Sequence, residues 1–169
     1  MVESKMESRL LRVSEIDLIY PLVRVACPKL GLGTCRDVAS AFLRPVKTPK
    51  IFSGVVVTEV QNVFRGLCTY AYNKDATIPN TFFVTNIVVP GPFASSNVVA
   101  SLNGAVQQIA RSYGASDICI ELSESMVHLE LDWHRHARAN DFIPTSISIV
   151  DGDFRLSYPN IGEPNPTTK

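Results

Sequence analysis

What this 169-residue sequence lacks already narrows its class. It has no charge imbalance, since 16 Lys and Arg are matched by 16 Asp and Glu. Zero net charge provides no field to recruit nucleic acid or an anionic membrane. The basic residues are dispersed, with no run interleaved with aromatics, so no nucleic-acid partner is expected. No apolar run reaches the ~18 residues of a membrane span, and no membrane partner is expected either. Cysteine is confined to Cys27, Cys35, Cys68 and Cys119, with no C-x-x-C pair. The polar start of the chain gives no secretory signal, and scattered thiols favour a reducing cytoplasm. Histidine occurs only at His128, His134 and His136. His134 and His136 point apart on a helix, and no second cluster completes a zinc site, so no metal is expected. P-loop, G-x-G-x-x-G and G-x-S-x-G motifs are all missing.

What is present is an ordinary globular composition, 46% hydrophobic and 19% charged, which excludes a disordered chain. The length suits one domain, expected over 1–157, with residues 158–169 as a polar, proline-containing disordered tail. A strand is predicted at 9–13. Ser14 reads as the cap of a helix carrying Leu18, Leu22 and Val25, with Pro21 in its early part. Thr34 caps a second helix over Val38, Ala39, Phe42 and Leu43. The β-branched run at 54–60 and the segment 63–72 form a hairpin turning at Gln61-Asn62, with Gly66 as a bulge. The strongest strand signal is 81–89.

From Ser95 or Ser96, Val98, Leu102, Ala105, Val106, Ile109, Ala110 and Tyr113 make an amphipathic helical stripe that ends at Gly114. A strand at 117–122, a helix at 126–140 and a strand at 145–150 follow. The hairpin implies antiparallel pairing, and the unit 81–122 a parallel pair with a crossover. The fold class is therefore α/β (α+β), with a mixed, mostly antiparallel sheet and flanking helices. Tyr70, Tyr72, Phe82 and Phe83 read first as cross-strand core pairs, with an acceptor pocket as the other reading. Exposed sheet edges leave a homodimer open.

The turn at 90–97 runs from a strand into a helix. Free N–H groups and the helix dipole make such a turn a physical site for phosphate, or else it is a plain connection. The segment FFVTNIVVPGPFASSNVVASLNGAVQQIARSYGASDICIEL resembles the core of the GNAT superfamily of acyl-CoA-dependent N-acyltransferases. Val88-Val89-Pro90, Phe93, and Val98 to Leu102 stand where that family has its V-x-P, its aromatic residue and its helix. HARANDFIPTSISIV resembles the family's last helix and strand. The likeness covers roughly residues 9–150. The family's Arg/Gln position falls on Ala94 and its two small positions on Asn97 and Val99. No glycine lies between Pro92 and Gly104.

The resemblance implies acetyl-CoA or another acyl-CoA as co-substrate. Its pyrophosphate would lie near Phe93, Ala94, Ser95, Ser96, Asn97 and Val98. Its pantetheine arm would lie on backbone groups of Asn86, Ile87, Val88 and Val89. A small-molecule or peptide amine would be the acceptor. The family's tyrosine acid falls near His136 or Ala137, and His136 is the titratable group there. Glu59 and Glu121 are the strand carboxylates available as base, and each also reads as a solvated or salt-bridged group. The other functional reading is a catalytically inactive GNAT-like domain that binds a ligand or regulates.

Overall fold

Val55, Val56 and Val57 sit mid-strand in β2 (Ile51–Val60) and are fully buried on alternate faces. A strand buried on both sides must lie inside a sheet covered twice. β2 pairs antiparallel with β3 (Val63–Asn73) through a turn at Gln61 and Asn62, whose φ values are 52° and 63°. Left-handed residues at both turn positions match the twist of a two-residue hairpin. The register then skips Arg65, between Glu59↔Phe64 and Thr58↔Gly66, so the expected bulge lies beside Gly66.

The computed structural model describes residues 6–44, 51–74, 80–89, 96–122, 146–150 and 153–158. The remaining strands are β1 (Met6–Leu10), β4 (Thr81–Val88), β5 (Asp117–Leu122), β6 (Ser146–Val150) and β7 (Asp153–Tyr158). The sheet order is β1-β2-β3-β4-β5-β7-β6. Among the described residues only β4 and β5 pair in parallel, so the sheet is mixed and mostly antiparallel, as expected. The strand expected at 9–13 lies instead at Met6–Leu10, where it can pair with Val56–Val60. The strand β7 was not anticipated. It lies between β5 and β6 and ends at Tyr158.

α1 (Ile16–Ala26) and α2 (Leu32–Leu43) cover one face. Ser14 lies within a 3-10 turn at Val13–Glu15 and does not cap α1. Glu15 takes the Arg12 backbone N–H at 3.0 Å. Starting the helix at Ile16 turns Ile16, Ile19 and Leu22 inward, and leaves the expected core residues Leu18 and Val25 exposed. Gly31 precedes α2, and Thr34 falls inside its first turn. This face packs Val55, Val57, Leu67 and Val88 of the sheet.

α3 (Ser96–Tyr113) covers the other face. Val98, Leu102, Val106 and Ala110 meet Val56, Cys68, Tyr70, Tyr72, Phe82, Val84, Ile118 and Ile120 there. α3 ends at Gly114, with φ of 73°. Gly114 N–H bonds Arg111 C=O and Ala115 N–H bonds Ala110 C=O, each at 3.0 Å, which closes the helix end. The aromatics form a core stack, with Tyr70 and Phe82 centroids 4.9 Å apart and Phe52 and Tyr113 4.7 Å apart. Phe83 stands on the opposite face and is part-exposed. No helix among the described residues is long and apolar enough to cross a membrane. The helix expected at 126–140 lies outside the described residues.

Candidate functional site

β4 and β5 pair only from Thr81↔Asp117 to Val84↔Ile120. Both strands run on, β4 to Val88 and β5 to Leu122. Past Val84 the β5-facing edge of β4 has no ladder partner among the described residues. Backbone N–H and C=O groups on such an edge need partners, and an extended ligand can supply them.

The opening coincides with a break in β4's other ladder. The register steps from Thr69↔Thr85 to Leu67↔Val88, which leaves one extra residue on β4. Asn86 has φ of 48°, the left-handed region that Asn tolerates better than most residues. Its Nδ2 donates to Thr69 Oγ1 at 2.9 Å and to Thr85 Oγ1 at 3.3 Å. The two threonine hydroxyls are 2.8 Å apart, and the Thr69 hydroxyl also donates to the Thr85 carbonyl at 3.1 Å.

The predicted ligand-binding residues divide in three. Ile87 and Val89 bury their side chains under α3, and Val88 buries its own under α1 and α2. These three can offer only backbone groups to a ligand. Ser96 opens α3 and Asn97 is exposed beside it, whereas the Val98 side chain belongs to the core and meets Gly66. Val99 is also fully buried and belongs to the same core cluster. Phe93, Ala94 and Ser95 lie outside the described residues. The chemistry available is thus an open strand edge leading toward a helix N-terminus.

The two carboxylates are placed differently. Glu59 is on β2, two strands from β4, and accepts from Arg9 Nη2 at 2.8 Å and Nε at 3.2 Å. Arg9 also pairs with Glu15 at 2.8 Å and lies over the Phe64 ring. The Arg9 guanidinium, hydrogen-bonded to the carboxylate, holds the Glu15 pKa down at about 2.

Glu121 is the first β5 residue past the end of the β4 ladder. Continuing the register by one residue sets it opposite Thr85. Ile118 and Ile120 face α3, so alternation puts Glu121 on the other face, with Thr85. Its backbone partner in β7 is Arg155. His136 lies outside the described residues. Among the described residues no group of three His, Cys, Asp or Glu side chains could hold a metal. Sequence reasoning missed the threonine partners of Asn86; an Asn among β-branched residues signals an irregular strand position but not which side chains meet it.

No protein-family model matches this sequence, and no curated protein matches it. Solved structures do match. A GNAT-family acetyltransferase from Streptococcus pneumoniae superposes with a TM-score of 0.66 at 10% identity, covering 94% of this chain and 100% of its own. An aminoglycoside 6'-N-acetyltransferase from Enterococcus faecium gives 0.61 at 11% identity, covering 95% and 99%. An acetyltransferase structure from Salmonella typhimurium, with its cofactor acetyl-CoA, gives 0.60 at 12%, covering 95% and 96%. At these identities the likeness shows the fold: this is the α/β fold of the GNAT acetyltransferases, over nearly the full chain.

Proposed function

We propose that the chain is an acyl-CoA-dependent N-acyltransferase. The observation that carries this reading is the parting of β4 from β5 after Val84 and Ile120, with the bulge at Asn86 on the parted edge. Acyl-CoA, when bound, supplies a thioester carbonyl that an uncharged amine attacks directly, so that a C–N bond forms as the C–S bond breaks. Backbone groups of Asn86, Ile87, Val88 and Val89 would hold the pantetheine arm. The start of α3, with Ser96 and Asn97, would receive phosphate through its N–H groups and dipole.

Glu121 is the better-placed base of the two candidates, because it borders the opening while Glu59 lies on β2, two strands from β4. It would take the proton that an ammonium must lose before attack. His136 is the group proposed to protonate the leaving thiolate. A small-molecule or peptide amine is the proposed acceptor, and the aminoglycoside enzyme of the same fold supports that class.

Acetyl-CoA and longer acyl-CoAs tested by calorimetry and thermal shift decide the matter. A ligand at a hundred times its Kd stabilises the folded state by about 2.7 kcal/mol. No stabilisation at millimolar acyl-CoA would sink this reading. The missing glycines between Pro92 and Gly104 favour a second reading, a binding or regulatory module of the same fold. Tight acyl-CoA binding with no turnover on any amine would select it.

A further inference from the structure

Asn86 does more than occupy the bulge. Its amide Nδ2 donates to both Thr69 Oγ1 and Thr85 Oγ1. From the other side, the Thr69 hydroxyl holds the Thr85 carbonyl. The peptide plane joining Thr85 to Asn86 is therefore gripped at its carbonyl and, through the side chain, at its next residue. It is the first peptide of β4 beyond the ladder with β5. Thr69 itself is 6% exposed and sits on β3, one strand away from the open edge. It cannot reach a ligand lying between β4 and β5.

We propose that Thr69 and Asn86 form a clamp of positioning residues that orients the open edge of β4 for an acyl-thioester. The inference rests on the acyltransferase reading above and assigns that site its supporting residues. Left-handed backbone alone would be served as well by glycine. A clamp adds something glycine lacks, a fixed direction for the next N–H and C=O groups. Ligand affinity then depends on the Thr69 hydroxyl, although the hydroxyl never touches the ligand. Pre-set donors cost less ordering on binding, and this is where the clamp acts.

The test compares Thr69→Val, Thr69→Ser, Asn86→Gly and the unaltered chain, titrated with acetyl-CoA. Thr69→Val keeps the volume and removes the hydroxyl, and Thr69→Ser restores it. The expected result is about tenfold weaker acetyl-CoA binding for Thr69→Val and for Asn86→Gly, the scale of one or two lost hydrogen bonds. Thr69→Ser should bind like the unaltered chain. In turnover, KM for acetyl-CoA should rise with the KM for the amine unchanged, a split that a general loss of packing does not produce. Far-ultraviolet circular dichroism reports folding of each variant, and Thr69→Val carries the test if Asn86→Gly does not fold. Equal affinities for Thr69→Val and Thr69→Ser would overturn the clamp while leaving the acyltransferase reading in place. No binding by the unaltered chain would remove that reading and the clamp with it.

Discussion

Gly66 of β3 lies directly under Val98 of α3, so close that a methyl group at Gly66 would come within 2.8 Å of Val98 Cγ1 and 2.9 Å of Leu102 Cδ1. The close approach seats the first turn of α3 on the sheet. Gly54 of β2 is a second such place, where an added methyl would meet the Tyr70 ring at 2.7 Å. Tyr70 cannot swing away, because Phe82 stacks on it.

Gly66→Ala and Gly54→Ala are therefore expected to destabilise the protein by about 1–3 kcal/mol each through overpacking. Chemical denaturation checks this. Gly66→Ala should also weaken acyl-CoA binding, because it lifts the helix start that would face the phosphates. Gly54→Ala, remote from that turn, should alter stability alone.

The layout that produces these contacts was readable where one periodicity served one face. The stripe from Val98 to Tyr113 gave α3, and Gln61-Asn62 between β-branched runs gave the hairpin. α1 was harder. Leu18 and Val25 fit a helical stripe as well as Ile16, Ile19 and Leu22 do, and only the sheet beneath decides which set is buried. β7 had a signal, since Phe154, Leu156 and Tyr158 alternate with Arg155 and Ser157. The expected tail takes in only its last residue, Tyr158, and residues 153–157 carry no expected element. The clamp at Asn86 was not readable, because it depends on which β3 residue the register brings opposite Thr85, a non-local fact.

Acid should reach Glu15 late. Its folded pKa is lowered from 4.5 to about 2 by Arg9. A depressed carboxylate adds stability that is fully present above the unfolded pKa and is lost as pH falls through the folded value. The stability difference between the unaltered chain and Glu15→Gln should be constant above about pH 5.5. It should shrink between 4.5 and about 2. Urea midpoints measured across that range give the result. A difference independent of pH would contradict the assignment. Asp17 is also lowered, by Arg36, so its contribution should fade on acidification in the same sense.

The cysteines should react in a fixed order. Cys27 is exposed, whereas Cys35, Cys68 and Cys119 are buried. Burial pushes the Cys68 thiol far above its ordinary range. Thiolate, not thiol, is the nucleophile, so Cys68 should be inert in the folded chain. A disulfide reagent should titrate one thiol rapidly, lost in Cys27→Ser, and the other three only in denaturant. Rapid modification of Cys68 in the native state would show that α3 does not stay on the sheet.

Glu59 and Glu121 are both strand carboxylates, yet they should fail differently. Glu121 borders the parting of β4 and β5, one residue past the last ladder pair Val84↔Ile120. Glu121→Gln keeps the shape and removes the proposed base. It should lower kcat by about 10²- to 10⁴-fold, the usual worth of a general base, with acetyl-CoA affinity unchanged. The remaining activity should rise with pH, because an amine without a base must shed its own proton before it attacks. Glu59→Gln instead cuts the ion pair with Arg9, whose two side chains are 23% and 25% exposed. A part-buried pair of this kind contributes about 1 kcal/mol, so stability should fall slightly while kcat holds. The reverse outcome, with Glu59→Gln losing turnover and Glu121→Gln keeping it, would move the acceptor site two strands away from the opening and onto the β1–β2 edge.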